Sequence, residues 1–270
     1  MCFLKIITWN INSVRIRTHQ LAEIIDELEP DIICLQETKC QNDKFPTAEI
    51  QKLGFKYVAI NGQPSYNGVA ILSRKKFDNV KIRDFCDRSD CRYISVELLA
   101  KGYEKKLVIH NFYVPAGGDE PDPEINSKFD HKLTFLDEMN TFIGSTITDE
   151  NYHIFVGDMN IAPHEDDVWS HKQLLKVVSH TPIECKKLSD IISKNNLCDI
   201  MRYYAEIGEK VYSWWSYRNK DWRLSNRGRR LDHIWLSDNL VYKYKTHLIF
   251  QESRDFERPS DHVPVMLELL

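Results

Sequence analysis

The stretch Tyr152–Pro163, Y-H-I-F-V-G-D-M-N-I-A-P, decides how the chain is read. Ile154, Phe155 and Val156 form a short uninterrupted apolar run, the pattern of a strand covered on both faces. At Gly157 the backbone can turn or be closely approached, and Asp158 then places a carboxylate where the strand leaves the core. An Asp and an Asn after a strand more often serve as turn and cap residues than as chemistry. The reading gains weight because the same device recurs along the chain.

Upstream, Phe3–Trp9 is an apolar run followed by Asn10 and Asn12, and Asp31–Leu35 delivers Gln36, Glu37 and Lys39. Between them Leu21, Ile24, Ile25 and Leu28 recur at helical spacing, closed by Pro30. A short helix is expected over Thr47–Leu53, between Pro46 and Gly54. Tyr57–Ile60 with Gly68–Ser73, and Ile94–Leu99 with Leu107–Val114, read as two strand pairs, the second followed by Pro115. An acidic surface loop, G-G-D-E-P-D-P-E, precedes a helix buried along Phe129, Leu133, Leu136 and Ile143.

Downstream, Thr181, Pro182 and Glu184 spell a capping box, for a helix whose buried face is expected at Ile183, Leu188, Ile191 and Ile192. Val211–Tyr217 reads as a strand, followed by a basic loop with Trp222, Arg223, Arg227, Arg229 and Arg230. Leu231–Leu236 is a strand carrying Asp232, and Asp261-His262 precedes a final strand. No internal repeat, long linker or phosphate-binding G-x-x-x-x-G-K interrupts this order. Strands alternating with a few helices point to a layered fold of the α/β or α+β class.

Composition sets the bounds. With 270 residues and no low-complexity break, a single domain over residues 1–270 is the first expectation and two small domains the second. A hydrophobic share of 42% and an aromatic share of 11% supply a sizeable core and exclude disorder. A net charge of −4, from 36 basic and 40 acidic residues, argues against passive coating of nucleic acid but permits a local basic face. The seven cysteines, Cys2, Cys34, Cys40, Cys86, Cys91, Cys185 and Cys198, include no C-x-x-C and signal neither a disulfide framework nor a zinc site. Reduced thiols and an N-terminus too quickly polar for a signal peptide or membrane span suit a cytoplasmic protein with no membrane partner.

The polar residues at the ends of these runs are Asn10, Asn12, Glu37, Tyr113, Asp158, Asn160, Asp232, Asp261 and His262. Brought together, four carboxylates would repel one another unless a hard divalent cation joined them. Oxygen donors without cysteine favour Mg²⁺ or Mn²⁺ over zinc. One cation, an ionised carboxylate and an imidazole suit phosphate-ester hydrolysis. Each residue also has a plainer reading: Asn10 and Asn12 as turn caps, Glu37 paired with Lys39, Tyr113 as an interfacial aromatic, Asp232 paired with Arg230.

The segments T-W-N-I-N, L-Q-E-T-K, Y-N-G-V-A-I-L-S, F-Y-V-P, V-G-D-M-N-I-A-P, N-R-G-R-R-L-D-H-I-W and P-S-D-H-V-P-V resemble those of the bacterial exonuclease III family, in that family's order, from Ile7 to Val265. The family belongs to the wider endonuclease/exonuclease/phosphatase superfamily. The resemblance implies a four-layered α/β sandwich, two mixed β-sheets packed face to face with helices outside. It further implies Mg²⁺-dependent cleavage 5′ to abasic sites and 3′-to-5′ removal of nucleotides from double-stranded DNA, with Mn²⁺ able to substitute and the enzyme acting as a monomer. By the same resemblance Glu37 is the main metal ligand, helped by Asn12 and Asp261. Asp158 would orient or deprotonate the attacking water, with Asn160 and Asn10 positioning it. Tyr113 would face the scissile phosphate, and His262, oriented by Asp232, the phosphoryl oxygen. Trp214 would wall the pocket for an extruded abasic sugar beside Leu231. Apart from the resemblance, Lys39, Arg92, Arg223, Arg227 and Arg229 are candidates for contacts to DNA phosphates.

The chain departs from the abasic-endonuclease branch after Tyr113-Val114-Pro115, where Ala116-Gly117-Gly118-Asp119 replaces an Asn and a nearby Arg. Two other readings stand beside the nuclease: a superfamily phosphatase acting on inositol phosphates or lipid head groups, and a non-catalytic DNA-binding module. The aromatic and arginine-rich stretch Trp214–Arg230 argues against the first, and the complete polar set against the second.

Overall fold

The computed structural model describes residues 3–219 and 221–270, so Cys2 lies outside the described residues. In chain order the elements are β1 (Leu4–Asn10), α1 (Val14–Leu28), β2 (Ile32–Gln36), α2 (Thr47–Lys52), β3 (Tyr57–Asn61), β4 (Val69–Ser73), β5 (Asn79–Ile82), β6 (Tyr93–Leu98), β7 (Leu107–Tyr113) and α3 (Ser127–Thr146). They continue with β8 (Tyr152–Asp158), α4 (His171–Leu174), α5 (Pro182–Lys194), β9 (Leu197–Asp199), α6 (Ile200–Tyr203), β10 (Trp214–Trp215), α7 (Trp222–Ser225), β11 (Gly228–Arg229), β12 (Asp232–Ser237), β13 (Tyr244–Ile249) and β14 (Val265–Leu269).

Two six-stranded sheets result, ordered β13-β14-β1-β2-β4-β3 and β5-β6-β7-β8-β12-β9. Each is mixed: β1–β2 and β7–β8 run parallel, whereas β1–β14 and β8–β12 run antiparallel. Strand side chains alternate between faces, and here both faces are covered. Leu4 and Ile6 of β1 and Ile154 and Val156 of β8 join one core between the sheets. Ile7 and Trp9 of β1 turn outward to Leu21, Ile24 and Leu28 of α1. Phe155 of β8 turns outward to Phe135 and Met139 of α3 and Leu188 and Ile191 of α5. This is the expected four-layered α/β sandwich, helix–sheet–sheet–helix.

All seven residues of β8 are buried, as the apolar run at its centre demands. Gly157 has φ 139°, and a Cβ there would sit 1.9 Å from the Phe112 carbonyl oxygen of β7. A side chain would push the two central strands apart.

Some expectations fail at the periphery. Of Val211–Tyr217 only Trp214–Trp215 is a strand, paired with Gly228–Arg229. The aromatics there scatter: Tyr212 and Trp215 enter a small satellite core, while Trp214 packs beside Leu231. Ile183 is 46% exposed, because five residues of about 100° each carry it roughly 140° around the helix from Leu188. The strands β5, β9 and β13 escape the pattern reading. The first is exposed throughout, the second has three residues, and both β5 and β13 are sheet edges without an apolar run. Among the described residues no helix is long and apolar enough to cross a membrane, and the six described cysteines are unpaired thiols.

Candidate active site

Topology brings the polar residues together. The parallel strands β1 and β2 both end at one edge of their sheet, and β14, antiparallel to β1, starts there. In the other sheet β7 and β8 end where β12 starts, with Asp232 directly opposite Asp158. The two sheets stack with these edges on the same side, so strand ends from both converge.

Asn10 is the tie between them. Fully buried, it donates from Nδ2 to Glu37 Oε1 at 3.0 Å and to Asp158 Oδ2 at 2.9 Å. Glu37 also accepts from the Tyr113 hydroxyl at 2.7 Å, and its other oxygen meets Lys39 Nζ at 2.8 Å. Burial pushes the Glu37 carboxyl up, but the Lys39 charge and these hydrogen bonds outweigh it and hold it below its ordinary value. The Tyr113 phenol is driven well above its ordinary value by burial and by the negative charges of Glu37 and Asp158. It therefore remains a neutral donor.

Lys39 Nζ also reaches Asn12 Oδ1 at 2.6 Å, and Asn12 Nδ2 donates to Asp261 Oδ1 at 3.0 Å. Asp261 Oδ2 accepts from the indole N–H of Trp214 at 3.0 Å. Glu37, Lys39, Asn12 and Asn160 all have left-handed backbones, with φ between 47° and 52°. Such conformations cost on the order of 1 kcal/mol or more for a non-glycine residue and cluster where a side chain must be aimed.

His262 stands between two carboxylates. Its Nδ1 lies 2.8 Å from Asp232 Oδ2 and its Nε2 3.7 Å from Asp158 Oδ2. Burial disfavours the imidazolium, yet the charges of Asp232 and Asp158 raise it to about 10. Asp158 is fully enclosed, and burial pushes it up to about 7 against the pull of His262. Asp232 is fixed by the Ser213 hydroxyl at 2.6 Å, not by Arg230, which pairs instead with Asp167 and Asp199. The plainer reading of Asp232 therefore fails. Asn160 caps the arrangement: its N–H donates to Asp158 Oδ1, and its Nδ2 to Asp158 Oδ2 and to the Val114 carbonyl.

Asp158, Asp232 and His262 lie close enough together to share a cation, but the imidazolium already supplies the positive charge there. The oxygens of Glu37 and Asn12 instead converge on an ammonium, and Asp261 adjoins them. This all-oxygen set fits a hard divalent cation.

A cleft of about 620 Å³ opens onto these residues, lined by Glu37, Asn160, Asp261 and His262 together with Trp214, Leu231, Trp169, Arg218, Arg227 and Arg229. The Arg229 guanidinium lies over Trp214 and donates to Ser179 Oγ, and that of Arg227 lies over Trp169. Gly118 and Asp119 of the acidic loop form part of the lining. Three sequence candidates for phosphate contact are engaged otherwise. Lys39 pairs with Glu37, Arg92 with Asp90 while lying over the Tyr113 ring, and Arg223 with Asp255 outside the cleft lining. Sequence reasoning passed over Arg218, Trp169 and Ser213. Nothing in V-Y-S-W-W marks the serine as a partner of a residue nineteen positions on.

Residues 7–262 match the Endonuclease/Exonuclease/phosphatase family. The chain belongs to that family. Over 274 residues it is 30% identical to exodeoxyribonuclease III of Haemophilus influenzae, covering 98% of this chain and 99% of that protein. Among solved structures of similar fold are an AP endonuclease from Archaeoglobus fulgidus (29% identity, TM-score 0.88, 98% of each chain) and the 3′ phosphatase NExo from Neisseria bound to a product DNA hairpin (29% identity, TM-score 0.89, 99% of each chain). Membership of this family, with such relatives over its whole length, makes the chain a DNA repair nuclease, a hydrolase of a metal-dependent family.

Proposed function

We propose that this nuclease hydrolyses the phosphodiester 5′ to abasic sites and removes nucleotides 3′-to-5′ from double-stranded DNA, with Mg²⁺ (or Mn²⁺) held by Glu37, Asn12 and Asp261. The observation that carries the reading is the bridge of Asn10 between Asp158 and Glu37, a residue that lines the aromatic and arginine-rich cleft. The cation, when bound, neutralises charge on the phosphate.

The residues do the rest. Asp158, with a carboxyl near 7, is suited to take a proton from the attacking water at neutral pH. Asn10 and Asn160 fix both of its oxygens. His262, held protonated by Asp232, donates to a phosphoryl oxygen whose negative charge grows in the transition state. Tyr113 is a second, neutral donor on the same side. Trp214 and Leu231 offer an apolar surface to an extruded sugar, and Arg218, Arg227 and Arg229 contact phosphates. Among the described residues none of these three arginines has a carboxylate within ion-pair distance. One domain over residues 1–270, working as a monomer in the cytoplasm, completes the reading.

The deciding experiment is incubation of a duplex carrying one tetrahydrofuran abasic analogue. Incision 5′ to the analogue with Mg²⁺ and none with EDTA is expected. Cleavage that persists in EDTA, or an intact duplex beside a hydrolysed inositol phosphate, would refute the proposal.

A further inference from the structure

Directly behind the site, Lys132 of α3 and Glu184 of α5 form an ion pair with both side chains fully enclosed, Nζ to Oε1 2.5 Å. The ammonium also donates to the carbonyls of Asn160 at 2.8 Å and Ala116 at 3.2 Å. The carboxylate accepts from the Ser179 and Thr181 backbone N–H groups and from the Thr181 hydroxyl. An enclosed ion pair is a poor source of stability, because desolvation offsets the Coulombic gain, and an apolar pair would join two helices as well. An apolar pair cannot direct charged hydrogen bonds at loops. The loops held here carry the site: Ala116 follows Tyr113 by three residues, Asn160 follows Asp158 by two, and Ser179 holds Arg229.

Asn160 is the link. Its N–H and side-chain amide are committed to Asp158 and Val114, in a left-handed backbone of φ 52°. Its backbone carbonyl is held by Lys132. The neighbouring loop is shaped around the same side chain. At Gly117, with φ 90°, a Cβ would come within 2.9 Å of Lys132 Cδ, so Ala116-Gly117-Gly118 closes over the lysine stem where a larger residue would collide.

We propose that Lys132, anchored by Glu184, is a positioning residue of the active site that sets the Asn160 turn and, through it, the orientation of the Asp158 carboxylate. The proposal rests on the nuclease reading and deepens it. In ordinary terms, the lysine contributes to kcat through Asn160 and not to substrate binding.

The test is a double-mutant cycle of Lys132→Met and Asp158→Asn on the full chain, with kcat and KM measured on the tetrahydrofuran duplex in Mg²⁺ and folding followed by circular dichroism. Lys132→Met is expected to lower kcat by about tenfold or more with KM within about twofold, and to lower it by less than about threefold in the Asp158→Asn background, where the carboxylate it orients is gone. Should Lys132→Met not fold, Glu184→Gln keeps the lysine but removes its anchor, and the same loss, again suppressed by Asp158→Asn, is expected. Additive losses, a change in KM alone, or a folded Lys132→Met with wild-type kcat would overturn the inference while the nuclease reading stands. A wild-type protein that leaves the duplex intact would overturn both.

Discussion

Two buried charge clusters flank the end of β8, built from the same kinds of residue and put to different use. One gathers Asp167 and Asp199 with Arg230 and Arg202: Arg230 meets Asp167 twice at 2.8 Å and Asp199 at 2.8 Å, and Arg202 meets Asp167 at 2.9 Å. Two carboxylates against two guanidiniums leave no net charge. Burial opposes the charged forms, but each partner outweighs it, lowering Asp199 and raising Arg230. The other cluster sets Glu37, Asp158, Asp232 and Asp261 against Lys39 and His262. Four carboxylates against two cations leave two negative charges when all are ionised, and this cluster faces the cleft. A balanced cluster is scaffold. An unbalanced one is poised for a cation and a phosphate.

The contrast predicts opposite outcomes for similar substitutions. Asp158→Asn should lower kcat by roughly 10²–10⁴-fold while the thermal midpoint stays level or rises, since repulsion is relieved. Calorimetry beside steady-state cleavage checks this, and a midpoint that collapses would erase the distinction between the clusters. Asp167→Asn should do the reverse, destabilising the protein by about 3–5 kcal/mol because a buried guanidinium loses its carboxylate. Denaturant melts give the loss, and kcat of the folded fraction should remain near wild type. A large fall in kcat would make the balanced cluster part of the site.

A finer test lies inside the unbalanced cluster. His262→Ala and Asp232→Asn should each lower kcat by roughly 10²–10³-fold, with the double mutant little worse than either. His262 is held protonated to about 10, so Asp232→Asn should also draw the alkaline limb of the pH–rate profile downward. Additive losses would separate the two residues.

The smallest effect concerns a third polar chain that carries no charge at all. The Thr148 N–H donates to His153 Nε2, His153 Nδ1 lies 3.1 Å from His110 Nε2, and His110 Nδ1 lies 2.8 Å from the Tyr93 hydroxyl. This order requires both rings neutral, and burial pushes His153 down to about 4. The unfolded chain takes up that proton near 6.5, so the stabilisation is complete above pH 6.5 and lost as pH falls toward 4, by up to about 3 kcal/mol. Urea melts at stepped pH should show the decline, and His153→Gln should flatten it. An unaltered slope in that variant would place the decline elsewhere.

Much of this was legible in the chain. The layered fold follows from continuous apolar runs such as Ile154–Val156, because a strand covered on both faces has no polar side to show. The nine polar candidates could be named because each stands at or beside one end of such a run, and a strand end is where core meets solvent. The capping box of Thr181 and Glu184 was equally readable, being local to four residues. What local pattern could not reveal was pairing. That Asp232 answers to Ser213, Arg230 to Asp167, and Lys132 to Asn160 depends on which loops the two sheets bring side by side, whereas the Glu37–Lys39 pair, two residues apart, was readable. Charge and burial act through space and fall off with distance, not with sequence separation. The sequence by itself therefore determined which residues could do chemistry, and the tertiary structure alone decided which charges cancel and which are left over for the substrate.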